Sequence, residues 1–178
     1  MLKTVSVIEI FSMFLKKINP QTALEIGCGT GGILSSLDIP SKIGIDAYIP
    51  DLEIAELKYP QIIPIKYDIL KLNEIFLNHS FDLVFGFDIL EHFKIEQVPK
   101  IIEMCESLSR KAVVFWSPME KTLSDNPYPE NPGNAHQSLL VPSLFSSREY
   151  ELIRFPHYWR NGRAETDIDG LFCFKWKK

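Results

Sequence analysis

Cysteine is scarce in this chain. Cys28, Cys105 and Cys173 are the three in 178 residues; they stand far apart and none belongs to a CxxC pair. That spacing excludes a zinc ribbon and a disulfide framework. It fits a reduced, cytoplasmic compartment, where the sequon Asn78-His79-Ser80 has no role. Uninterrupted apolar runs are also short. None reaches the ~18 residues that a membrane-spanning helix needs, so no membrane partner is expected. Met1 to Asn19 is amphipathic and carries Glu9, Lys16 and Lys17, with no small-residue cleavage site behind it, unlike a secretory leader. Basic charge is not in excess: 19 Lys and Arg face 23 Asp and Glu, a formal net charge of −4. Domains that grip phosphate backbones are usually basic, so the balance argues against a nucleic-acid partner. What is present, 46% hydrophobic and 24% charged residues, is the composition of one globular domain with a substantial core.

Periodicity divides the chain into alternating elements. Val5 to Lys17 has helical spacing and ends at Asn19-Pro20. Strands are expected over Ala23 to Ile26, Lys42 to Asp46, Ile62 to Tyr67, Phe81 to Phe87 and Ala112 to Trp116. Helices are expected between them, over Ile33 to Leu37, Leu52 to Lys58, Leu72 to Asn78 and Ile95 to Leu108. Strands that alternate with helices predict an α/β fold, a doubly wound parallel sheet with helices on both faces. Ser117 to Pro142 is rich in Pro, Asn, Ser and Glu and reads as one long functional loop. Leu144 to Ser147 is a possible helical turn. Tyr150 to Phe155 and Leu171 to Trp176 are two more strands with no helix between, which predicts an antiparallel hairpin at the sheet edge, turned at Asn161-Gly162.

The most informative stretch is Leu24 to Gly32, LEIGCGTGG. An apolar strand breaks into four glycines (Gly27, Gly29, Gly31, Gly32) and a helix follows. That geometry brings bare backbone N–H groups up to a bound group, with no side chain in the way. Acidic residues then fall at the carboxyl ends of successive strands: Asp46 after the second, Asp68 after the third and Asp88 after the fourth. Open α/β sheets bind ligands along that rim. One carboxylate there can accept two ribose hydroxyls and the next an exocyclic amine, which describes a pocket for an adenosine with a short charged tail. A lone Asp at a strand end often only caps the next helix; three in register point to a ligand.

The motifs LEIGCGTGG (Leu24 to Gly32), IGIDAY (Ile43 to Tyr48), KYDIL (Lys66 to Leu70) and FDLVFGFDILEHF (Phe81 to Phe93) occur in this order. In them the chain resembles the class I S-adenosylmethionine-dependent methyltransferases, over roughly Thr22 to Ser117 and more loosely over the last two strands. The resemblance implies a Rossmann-like, mostly parallel seven-stranded sheet with an antiparallel C-terminal hairpin. It implies S-adenosyl-L-methionine as cofactor and S-adenosylhomocysteine as product. It further implies that Gly27, Cys28 and Gly29 pack against the methionine part while Glu25 orders its amino group, directly or through water. Asp46 would hold the ribose, with Ala47 and Tyr48 bordering the adenine. Asp68 would take the adenine amine beside the Ile69 N–H. The backbone at Phe87 and Asp88 would face the methionine amine. The division that follows is 1–19 for an N-terminal helix, 22–117 for the cofactor core, 118–142 for an acceptor loop and 143–178 for the strand pair.

The acceptor is expected to be a small molecule, most simply an oxygen nucleophile on a sugar or similar metabolite. An oxygen needs help in losing its proton, and a histidine suits that task. His136, in NPGNAHQS within the long loop, is the expected general base, ahead of His79, His92 and His157. Asp125, Tyr128, Asn134 and Gln137 are polar enough to hold a hydroxylated substrate. Asn126-Pro127-Tyr128 follows the fifth strand rather than the fourth, and no Pro-Cys pair occurs, which argues against methylation of nucleobases. Asp88, Glu91 and His92 offer no further ligand nearby in sequence, so no metal is expected and His92 is read as structural. Two other functions fit parts of the pattern. Gly27, Gly29 and Gly32 also satisfy GxGxxG, the signature of an NAD(P)-binding oxidoreductase. A non-catalytic or partner-dependent methyltransferase-like subunit would keep the same pocket.

Overall fold

The computed structural model describes residues 7–118, 130–155, 159–160, 163–164 and 170–177. Helix α1 (Val7–Ile18) leads into β1 (Thr22–Ile26), α2 (Gly32–Ser36), β2 (Ser41–Asp46), α3 (Ile49–Lys58), β3 (Ile63–Lys66) and β4 (Phe81–Phe87). Then come α4 (Val98–Leu108), β5 (Ser109–Pro118), α5 (Ser143–Ser146) and β6 (Glu151–Phe155), a small pair β7 (Trp159–Arg160) and β8 (Arg163–Ala164), and β9 (Gly170–Trp176). Seven strands form one sheet in the order β3-β2-β1-β4-β5-β9-β6. The first five are parallel; β9 runs antiparallel between β5 and β6. The expected Rossmann-like sheet with an antiparallel C-terminal strand pair is therefore the observed one. Its last two strands are not a simple hairpin, because the connection holds β7 and β8, paired antiparallel. Residues 161–162, where the turn was expected, lie outside the described residues, as do 125–128 and 156–158.

Two hydrophobic layers sandwich the sheet. On one face Leu24, Ile26, Val113 and Phe115 pack against Ile101, Met104 and Cys105 of α4 and Phe145 of α5. On the other, Ala23, Phe85, Phe87 and Phe172 pack against Phe11 and Phe14 of α1 and Leu34 of α2. Phe11 lies within 5.2 Å of Phe85 and 4.9 Å of Phe87, ring centre to ring centre. The helical period of α1 buries Phe11 and Phe14 and turns Met13 outward at 68% exposure. All seven residues of β4 are buried, as a central strand covered on both faces requires. The one acidic member, Asp82, accepts from the Gln21 N–H at 2.8 Å and pairs with Arg110 at 3.0 Å and Lys111 at 3.2 Å. Burial pushes its carboxyl up, but those donors and charges outweigh that and hold it below the usual range.

Several boundaries differ from expectation for local reasons. The helix expected over Leu72 to Asn78 is a 3-10 turn over Ile69–Glu74. Asp68 caps it by accepting from Leu70 N at 2.9 Å, and the i, i+3 spacing of Ile69 and Leu72 buries both. Helices α3 and α4 begin at Ile49 and Val98, each with a proline in its first turn, where a missing N–H costs nothing. Strand β5 extends to Pro118 because β9 pairs with it along Ala112 to Pro118. Gly170 begins β9 where any Cβ would collide with the Trp116 indole.

Candidate active site

The glycine turn hangs from the end of β1 and leans on β2. Gly27 and Cys28 both donate backbone N–H groups to the Ile45 carbonyl, at 2.8 and 3.0 Å. Gly27 has φ 69°, and a Cβ there would strike the Ile89 side chain, so the position tolerates glycine for two independent reasons. The next strand end locks the turn from beside it. Asp46 accepts from Gly29 N through Oδ2 at 2.8 Å and from Tyr48 N through Oδ1 at 2.9 Å. Each carboxylate oxygen has a second lone pair, so these bonds leave Asp46 able to accept from a ligand's hydroxyls.

Carboxylates dominate the rim. Asp46, Asp51, Asp68 and Asp88 all line one cavity of about 910 Å³, a size suited to a small molecule. Burial, then the charges of Asp46 and Glu130, push the Asp51 carboxyl up. Glu25 lies beneath the turn at 2% exposure. Burial raises its carboxyl well above the usual range, opposed by the Leu34 N–H and reinforced by Asp46. Its Oε2 meets no hydrogen-bond donor among the described residues. A cationic amine is the partner that would satisfy that oxygen and favour its charge.

The cavity sorts the expected residues into two groups. Gly27, Gly29, Asp46, Ala47, Tyr48, Asp68, Ile69 and Asp88 line it together. Glu25, Cys28 and Phe87 lie behind that surface. The Cys28 thiol packs under Gly44, where burial, then Glu25 and Asp46, push its pKa up and make it inert. Phe87 turns its ring to Phe11, leaving its backbone at the rim, where Asp88 takes φ 51° and donates N–H to the Trp116 carbonyl at 2.9 Å. Ile89, Phe93 and Lys66, which the motifs contain without a role, add wall, and Lys94 and Gln97 add polar wall that no motif indicated.

The segment after β5 returns to line the same cavity with Asn131, Asn134 and Gln137, while the expected base His136 stands outside that lining. Four hydrogen bonds hold the segment against the 3-10 turn Leu90–His92. Gln137 N and Ser138 N donate to the Glu91 carbonyl at 2.8 and 3.2 Å. Gln137 Nε2 donates to the His92 carbonyl at 2.7 Å, and the His92 ring meets the Ala135 carbonyl through Nδ1 at 3.4 Å. His136, expected as the general base in the long loop, therefore stands beside His92, with ring centres 5.0 Å apart. Glu91 is buried at 2% exposure below them, and Ser117 Oγ donates to its Oε2 at 3.2 Å. Glu91 and His92 are adjacent in the chain, and His136 joins them only through these tertiary bonds.

The sequence profile of a methyltransferase domain matches residues 23–111, half of the chain. The chain belongs to the methyltransferase-domain family. No curated protein matches it by sequence. Solved structures do match in fold. A SAM-dependent methyltransferase from Archaeoglobus fulgidus superposes with a TM-score of 0.61 at 15% identity, over 96% of this chain and 95% of that one. Magnesium protoporphyrin IX methyltransferase from Synechocystis PCC 6803, solved with bound SAH, gives 0.65 at 14% identity, over 96% and 82%. The N-terminal domain of EvdMO1, solved with SAH and D-fucose, gives 0.66 at 13% identity, over 96% and 82%. The methyltransferase is thus an enzyme of the class I Rossmann-like type, and S-adenosyl-L-methionine is its cofactor. The nicotinamide reading of Gly27, Gly29 and Gly32 falls with this, and the antiparallel β9 between β5 and β6 differs from the dinucleotide-binding strand order. No described helix is long and apolar enough to cross a membrane.

Proposed function

We propose that the methyltransferase methylates an oxygen of a small polar acceptor, a sugar or a similarly hydroxylated metabolite. The observation that carries this reading is that His92 lines the same cavity as Asp46 and Asp68, with the His136 ring centre 5.0 Å from its own. When bound, S-adenosylmethionine supplies a methyl group already activated on a sulfonium. The chain's own task is to hold donor and acceptor in line and away from water. Asp46 holds the ribose hydroxyls, Asp68 and the Ile69 N–H take the adenine edge, and Ala47 and Tyr48 border the ring. Gly27, Cys28 and Gly29 present backbone to the methionine part; Glu25 and the backbone of Phe87 and Asp88 face its amine. Asn131, Asn134 and Gln137 of the cavity wall offer amides to acceptor hydroxyls, and His136, next to the wall residue His92, activates the reacting one. It does so as a general base.

The acidic rim favours a neutral or cationic metabolite over a phosphate backbone, and the volume suits a small molecule. The EvdMO1 domain, crystallised with D-fucose, supports a sugar-like acceptor by analogy of fold alone. We read 118–142 as the segment that covers the acceptor in one 178-residue unit. The free thiols at Cys28, Cys105 and Cys173 suit the cytoplasm. The deciding experiment incubates purified protein with methyl-labelled cofactor and a metabolite library, sugars first. Label in a stable ether product is expected. Transfer to an amine or to RNA instead would refute the oxygen reading, and turnover only after adding a partner protein would make the chain a partner-dependent subunit.

A further inference from the structure

We propose that Glu91, His92 and His136 together bind a divalent first-row transition cation, such as Mn²⁺, Co²⁺ or Zn²⁺, at the acceptor side of the cavity. One ligand atom from each residue lies within 4.8 Å of the other two. Two imidazoles and a carboxylate form a donor set for such cations rather than for Mg²⁺ or Ca²⁺, which prefer all-oxygen shells. Ligand atoms in a tetrahedral site with bonds of 2.0–2.1 Å stand about 3.4 Å apart, so modest rotation of the two imidazoles brings this set to bonding distance.

The surroundings are those of a built site rather than a chance cluster. Ser117 Oγ orients the buried Glu91 carboxylate from behind. The Ala135 carbonyl can only accept, so its contact with His92 Nδ1 places the proton there and the lone pair on Nε2. The backbone bonds from Gln137 and Ser138 to Glu91 hold the third ligand's segment in register with the first two. Three protein ligands leave coordination positions open, and His92 lines the cavity. A cation there lowers the pKa of an oxygen that ligates it. His136 then serves as a ligand rather than as a free base. This inference rests on the reading of this cavity wall as the place of an oxygen acceptor.

The test uses the full chain, free of any affinity tag and stripped by a chelator. Mn²⁺ is titrated and its unbound fraction read by electron paramagnetic resonance; S-adenosylhomocysteine binding is measured in parallel by calorimetry. One saturable Mn²⁺ per chain is expected, with affinity reduced at least tenfold by His136→Ala and by Glu91→Gln. Mg²⁺ in tenfold excess should not displace it. S-adenosylhomocysteine binding should be unchanged in His136→Ala, which lies on a partly exposed segment and reports even if the buried Glu91→Gln variant does not fold. No saturable Mn²⁺, or equal affinity in wild type and His136→Ala, overturns the proposal. Mn²⁺ binding without S-adenosylhomocysteine binding would leave the metal site standing while sinking the cavity's reading as a methyl-transfer site.

Discussion

The two sides of the cavity are built in different ways. On the proposed cofactor side, each lining residue sits at or just past the end of a strand: Gly27 after β1, Asp46 on β2, Asp68 after β3, Asp88 after β4. Parallel pairing across β3-β2-β1-β4 brings those ends to one edge automatically. On the proposed acceptor side, Glu91 and His92 meet His136 only because a later segment folds back onto the 3-10 turn through hydrogen bonds to its carbonyls. The first side is positioned by sheet register, the second by a handful of tertiary hydrogen bonds. The first should therefore be stiff and intolerant of substitution, and the second adjustable in substrate choice with little effect on stability.

The sharpest break of that contrast is Gly27→Ala. Positive φ and the Ile89 side chain together should cost roughly 2–5 kcal/mol of stability, read by chemical denaturation. A loss below about 1 kcal/mol would show the turn to be pliable. Next in size, His136→Ala should slow turnover by ~10²-fold or more while leaving both stability and S-adenosylhomocysteine affinity nearly unchanged. A parallel loss of cofactor affinity would erase the distinction between the two sides. Asp46→Ala should weaken S-adenosylhomocysteine binding by roughly 1–3 kcal/mol in calorimetry, because ribose hydroxyls and the Gly29 and Tyr48 N–H groups all lose their acceptor. An unchanged dissociation constant would remove it from the ribose.

The smallest effect in affinity, but the most diagnostic in sign, belongs to Glu25. Its folded carboxyl titrates above its ordinary value of 4.5 because it is buried. The folded state therefore holds that proton more tightly than the unfolded chain does. Below the unfolded pKa the residue is neutral in both states and costs nothing; as pH rises from there to the folded pKa it destabilises the cofactor-free protein increasingly. A bound ammonium reverses this, since it favours the carboxylate. Cofactor binding should thus release a proton at mildly acidic pH and tighten as pH rises, seen by calorimetry in buffers of different ionisation enthalpy. Glu25→Gln should stabilise the cofactor-free protein at neutral pH and abolish the proton release. Proton release that persists in Glu25→Gln assigns it to another group.

Legibility followed the same division. The strand ends and their acidic residues were readable because register converts local spacing into spatial neighbourhood, and a parallel sheet has few ways to place them. The 3-10 turn after Asp68 was not readable as such, because its apolar spacing also fits a short helix and only the cap at Leu70 decides. The resemblance assigns Cys28, and Phe87 through its backbone, to the site, and the side chains of both are buried behind the cavity. His136 was singled out for its chemistry, yet its neighbours were invisible: nothing along the chain says that Gln137 and Ser138 dock on Glu91.

By itself, the order of residues determined the alternation of strand and helix, the glycine bend and the row of acids, since each depends on contacts within a few positions or on a repeating register. Folding alone decided which histidine faces which carboxylate. That outcome depends on where one loop closes against a distant turn, and the loop's conformational freedom is resolved by bonds whose partners lie far apart in the chain.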